Sequence, residues 1–70
     1  MIDKECAIEV QRHALQAISE LTKLLKQSQG RCSPEKYEEL REGVGRSIGA
    51  IQMGILEVVI VEFPELDDLQ

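Results

Sequence analysis

Residues 43–63, GVGRSIGAIQMGILEVVIVEF, hold most of the strongly apolar mass of this 70-residue chain and four of its five glycines. Each residue of a helix advances about 100° around its axis. On that wheel Tyr37, Leu40, Val44, Ile48, Ile51, Ile55, Val58 and Val59 share one face, which is the pattern of a helix turned toward a core. Met53, Leu56, Ile60 and Phe63 fall on a second face. One neighbouring helix cannot cover both, so further helices are expected, most simply from a second copy of the chain. The segment Glu-Val-Val-Ile-Val-Glu-Phe reads locally as a strand because it is rich in β-branched residues. The helical period nevertheless persists from Tyr37 to Val58 without a turn signal, and helix is the expectation. A bilayer span needs about 20 mainly apolar residues with few or no charges. Gln52, Glu57 and Glu62 interrupt this run and no basic flank follows it, so no membrane association is expected.

Gly43, Gly45, Gly49 and Gly54 lie inside the expected helix, each less favourable than alanine by about 0.8–1 kcal/mol. Close approach by another backbone is the natural compensation, through dispersion contact across a tight crossing. Gly43, Ser47, Ala50 and Gly54 form one small-residue stripe. Gly45 and Gly49 also form a GxxxG, a motif whose mechanism belongs to lipid-embedded helices. The expected oligomer interface therefore comprises Gly43, Ser47, Gly49, Ala50, Met53, Gly54, Leu56, Ile60 and Phe63.

Working outward, the turn before this helix carries the clearest local signals. Ser33 is an N-cap, Pro34 takes the first helical position and Glu35 complements the positive helix start. Gly30 suits the position just past the end of a preceding helix. That first helix is expected over about residues 3–28 with Asp3 as its N-cap, its inner stripe being Ala7, Val10, Ala14, Ala17, Leu21 and Leu24. Ile8, Leu15, Ile18 and Leu25 widen the stripe on one side. A turn over 29–33 makes the helices antiparallel neighbours. The second helix is expected over about 34–63 and stops there because Pro64 disfavours helical geometry before it. The acidic tail, 64–70, carries Leu66 and Leu69. It is expected to fray, as termini do, with docking on a partner as the functional alternative.

The chain is thus expected to be all-α: one antiparallel two-helix hairpin domain, dimerising into a four-helix bundle. A chain this short buries only about 60% of its unfolded surface, and small scaffolds usually rely on disulfides, metals or oligomerisation. The two cysteines, Cys6 and Cys32, are separated by about 39 Å of helix at 1.5 Å per residue, too far for a bridge. With no secretory signal at the start, reduced thiols and a cytoplasmic location are expected.

The net charge of −5 disfavours nucleic acid and acidic membranes, both of which attract basic faces. Lys23, Lys26 and Arg31 are the densest basic group and make no stripe with aromatics. Cys6, Glu9 and His13, spaced three then four, share one helix face and are the only trio with metal-ligand chemistry. Zinc wants a fourth ligand, and a small cysteine beside a Glu–His surface pair is the simpler expectation. Cys32 sits before a helix N-terminus beside Arg31, a setting that activates thiols. His13, the only base of its kind, lies far away in the same hairpin, so a redox-sensitive thiol is favoured over catalysis. Glu62 falls on the main apolar face, where a carboxylate needs water or a cation such as Lys4 or Arg12. Glu57 and Arg46 could pair only across two chains.

No catalytic, cofactor or metal site is expected from these patterns. The function they fit is a small non-enzymatic interaction protein of adaptor, regulator, antitoxin or immunity type. It would act through helix-mediated contacts with itself and another protein. A metal-binding hairpin at Cys6, Glu9 and His13, or a thiol sensor at Cys32, is the alternative.

Overall fold

The computed structural model describes the backbone of residues 1–69 and the side chains of residues 1–67. All regular structure among these residues is helical. Helix α1 spans Lys4–Ser28, α2 spans Pro34–Ile51 and α3 spans Glu57–Glu62. A single π-helical turn, Gln52–Leu56, joins α2 to α3 without a break, and a 3₁₀ helix, Pro64–Leu69, follows. The α2–π–α3 rod runs antiparallel to α1, so that Ile2 and Lys4 meet Glu62 and Glu65 at the open end. The hairpin measures 45 × 17 × 16 Å. One hairpin accounts for two of the four helices expected from the sequence.

The helix ends follow from local chemistry. Asp3 Oδ1 accepts a hydrogen bond from the Cys6 amide at 2.8 Å, and Ser33 Oγ accepts one from the Lys36 amide at 3.2 Å. Each side chain satisfies a donor that the first helical turn leaves unpaired. Pro34 sits in the first turn of α2, where its missing N–H costs nothing. Gly30 has φ of +80°, the only positive φ among the described residues. That left-handed conformation lets the chain reverse directly after α1.

The π turn resolves the two apolar faces of the second helix. At its end the Glu57 amide donates to the Gln52 carbonyl five residues back, as well as to Ile55. One extra residue in the turn moves the inward stripe by one position. Val44, Ile48 and Ile51 face α1 before it, and Leu56, Val59, Ile60 and Phe63 face inward after it. Ile55 and Val58, expected on the main face, are 42% and 57% exposed. The π turn brings Leu56, Ile60 and Phe63 of the second stripe toward α1 at the expense of Ile55 and Val58 of the first, and it leaves Met53 of the second outside, 72% exposed. The shift also takes Glu62 off the core-facing side, where it accepts the Ile2 amide at 3.2 Å. The physical gain is plain. Phe63 is packed inward and a carboxylate, costly to bury without a partner, is left in water.

The core sits at the open end. Ala7, Val59 and Leu66 are almost completely buried, with Ile2, Val10, Ile60 and Phe63 packed around them. Leu66 comes from the tail, which over Pro64–Leu69 is therefore not frayed: this 3₁₀ helix folds back over α1. Leu66 is 3% exposed, its carbonyl accepts the Gln11 side-chain amide at 2.9 Å, and Lys4 pairs with Glu65 at 2.9 Å. Leu69, the tail's other leucine, has a side chain outside the described set. Gln11 is itself 3% exposed and finds its partner in this carbonyl, as a buried amide must. Ala17, placed on the inner stripe by its spacing, is exposed. Among the described residues, Leu56 and Val59 are the largest fully buried side chains, so the hairpin's own core is small.

Candidate functional site

Three surfaces carry the residues singled out from the sequence. The first is an open groove of about 450 Å³ between the helices, lined by Cys6, Val10, Ala14 and Ala17 of α1 and by Ile51 and Ile55 opposite. Its floor is apolar because two alanines of α1 face two isoleucines across the hairpin, leaving a gap where larger side chains would close it. Glu9 and His13 stand at its rim.

The trio Cys6, Glu9 and His13 is thus brought to one place, on one helix face. Its electrostatics are not those of an open ligand set. Arg12 holds Glu9 at 2.7 Å, and this hydrogen-bonded pair lowers the Glu9 carboxyl below its ordinary range. The same guanidinium lies 3.2 Å from His13 Nε2, and His13 is 3.8 Å from Glu9. A fixed cation within hydrogen-bond reach of two of the three ligands opposes a metal ion at that point. Among the described residues no three His, Cys, Asp or Glu side chains are grouped closely enough to hold a metal.

The second surface is the turn. Cys32 is exposed, and its thiol donates to the Ser28 carbonyl at 3.6 Å. It lines a small polar depression of about 270 Å³ with Leu24, Gln27, Ser28, Arg31 and Leu40. Lys23, one of the basic group near this turn, is 3.7 Å from Glu20. The turn and His13 lie at different levels of the rod, so the structure does not bring Cys32 to a histidine within one chain.

The third surface is the outward side of the α2–α3 rod. Met53, Val58 and Val61 are 72%, 57% and 73% exposed. Val58 and Val61 border a second open groove with Met1, Ile2, Met53, Glu57 and Glu62, of about 430 Å³. Of the expected interface residues, Ser47, Ala50, Met53 and Gly54 are exposed, Gly43 and Gly49 are half-buried, and Leu56, Ile60 and Phe63 point into the hairpin. The stripe of small residues does not face α1. A Cβ built on Gly45, Gly49 or Gly54 meets nothing within 4 Å, so the hairpin itself makes no use of their small size. Arg46 and Glu57 lie on this side, exposed, and neither makes an ion pair among the described residues.

Sequence reasoning missed Gln11 and Leu66 as structural anchors. Gln11 lies four residues after Ala7 and three before Ala14, so its phase marked it as inward while its polarity hid it. By length and composition the 29-residue rod Pro34–Glu62 is able to cross a bilayer: its most apolar 18-residue window has mean hydropathy 1.6, and 17% of that window is buried. The charges that argued against a span, Glu57 and Glu62, are both on the surface of the rod. No known family model matches the chain, and no curated protein or solved structure is significantly similar to it.

Proposed function

We propose that this chain is a small, non-enzymatic interaction protein that works as a homo-oligomer of helical hairpins, in the manner of an adaptor, regulator, antitoxin or immunity protein. The observation that carries the reading is the uncovered apolar side of the α2–α3 rod, where Met53, Val58 and Val61 are more than half exposed. Contiguous exposed apolar surface marks interaction sites. Self-association covers it in water and lengthens a core that is short of large side chains. The outer surface of α1, rich in charged residues, is then the side left to meet another protein. A cytoplasmic setting suits free thiols at Cys6 and Cys32.

Light scattering on wild type and Gly49→Leu tests this. Gly49 has open space around its missing Cβ, so a side chain starts there without a clash inside the hairpin, and circular dichroism checks that the variant is helical. The expected result is a wild-type dimer and a variant shifted strongly toward monomer. A monomeric wild type that co-sediments with neutral lipid vesicles would overturn the reading in favour of membrane insertion.

A further inference from the structure

We propose that the rod pairs antiparallel with the same rod of a second copy, about a two-fold axis near Ile51 and Gln52, so that each Arg46 faces Glu57 of the partner subunit. This rests on the reading of the outward side as a self-association surface and specifies its geometry.

The amount of surface points to a second copy of this size. Folded monomers follow about 6.3 M^0.73 Å², which for 7.9 kDa is roughly 4,400 Å². The hairpin exposes 5154 Å². The excess, roughly 700 Å², is close to the ~800 Å² that each partner contributes to a standard interface. The radius of gyration shows the same elongation: 14.6 Å against about 11 Å for a compact chain of this length. A hairpin laid alongside a hairpin reduces both discrepancies.

The charges choose the orientation. A two-fold interface is isologous: if residue i faces j, then j faces i. Arg46 and Glu57 sit eleven residues apart on the same rod, about 16 Å at 1.5 Å per residue. In an antiparallel pair centred between them, two opposite-charge contacts form, one at each end. A parallel pair would set Arg46 against Arg46 and Glu57 against Glu57. Both residues are exposed and unpaired within the described chain. Between them on the outward side lie Gly49, Ala50, Met53 and Gly54. No side chain of the hairpin stands over the missing Cβ atoms of Gly49 and Gly54, so the two backbones can approach closely where they cross.

The test is a charge swap read by sedimentation and light scattering at low salt, with circular dichroism to show each variant helical. Arg46→Glu alone and Glu57→Arg alone are each expected to weaken self-association by about tenfold or more, because each converts both contacts into like-charge pairs. An equimolar mixture of the two single variants is expected to recover a one-to-one heterodimer, and the double variant R46E/E57R to recover the homodimer. Recovery on mixing also excludes misfolding as the cause of the single-variant loss. If wild type is a dimer but the mixture shows no preference for heterodimer, the antiparallel register is wrong while self-association stands. Single variants that self-associate as strongly as wild type, with R46E pairing preferentially with wild type, would overturn the antiparallel register in favour of the parallel one. A monomeric wild type at high concentration overturns both proposals.

Discussion

The two ends of the hairpin are held by different physics. At the turn, Ser33, Pro34 and Gly30 act on the backbone within a few residues of themselves, and the flanking side chains Tyr37, Leu24 and Leu25 are only half-buried. At the open end, Ala7, Val59 and Leu66 come from three separate elements and bury one another almost completely. One end is specified by local chemistry and thinly packed; the other has the Asp3 cap and the Pro64 stop as local signals but is held mainly by packing. The lesson is that a clear sequence signal for an end does not make it the stable end.

The largest test of that contrast is Leu66→Ala. Removing a buried leucine side chain is expected to destabilise by about 2–4 kcal/mol, a large share of the stability of any small domain. Chemical denaturation measures it, and a loss within error of zero would mean that the tail is an ornament on the hairpin. The matching change at the turn, Ser33→Ala, is expected to lose only about 1 kcal/mol. Hydrogen exchange should show that loss as local opening of the first turn of α2, with the amides around Val59 unaffected.

Deleting Gly54 probes the region between the two ends. A deletion inside a helix ordinarily turns every later side chain to the wrong face. Here it removes the extra residue of the π turn, and Leu56, Val59, Ile60 and Phe63 keep their inward positions in a continuous α-helix. The expected outcome is a folded protein with an unchanged core, stabilised by about 1 kcal/mol through loss of a helical glycine. The melting temperature of a domain this size would rise by about 4–8 °C. Unfolding on deletion would show that the inward stripe is not the one described.

The smallest effect is electrostatic. Lys4 lowers the Glu65 carboxyl below its ordinary range, chiefly through their direct hydrogen bond. A folded-state value below the unfolded one means that the contribution is present above the ordinary range and is lost as pH falls through the lowered value. Both groups are about half exposed, so the change is expected to be slight and salt-sensitive. An NMR titration following the Leu66 amide from about pH 5 to pH 3 should detect it, and Glu65→Gln should abolish it.

The legible parts of the sequence were those whose cause is local. The caps at Asp3 and Ser33 and the reversal at Gly30 each depend on a residue's own chemistry, and the helical period shows through the strand-like composition of residues 57–63. The tail and the π turn have no local cause. Leu66 is buried because Ala7 and Gln11, more than fifty residues earlier, leave a place and a donor for it. The π turn left a trace that can be read in retrospect. The stripe Val44, Ile48, Ile51 resumes as Leu56, Val59, Ile60, Phe63 if one position is skipped, so the inward stripe draws on both faces of the wheel and leaves Met53, Ile55 and Val58 exposed. The candidate site was legible in part. Ser47, Ala50, Met53 and Gly54 are on the surface, whereas the phase of Leu56, Ile60 and Phe63 depended on a turn that the wheel cannot represent.

The dimensions of the hairpin have a practical consequence in solution. A rod of 45 × 17 × 16 Å experiences more drag than a sphere of equal mass. On a sizing column it elutes early, and a single hairpin can pass for a rounder particle of greater mass. Two such rods side by side would be less elongated, with drag rising by less than the doubled mass implies. Elution volume alone would therefore compress the difference between one hairpin and two. Sedimentation velocity, which yields friction and mass together, keeps them apart.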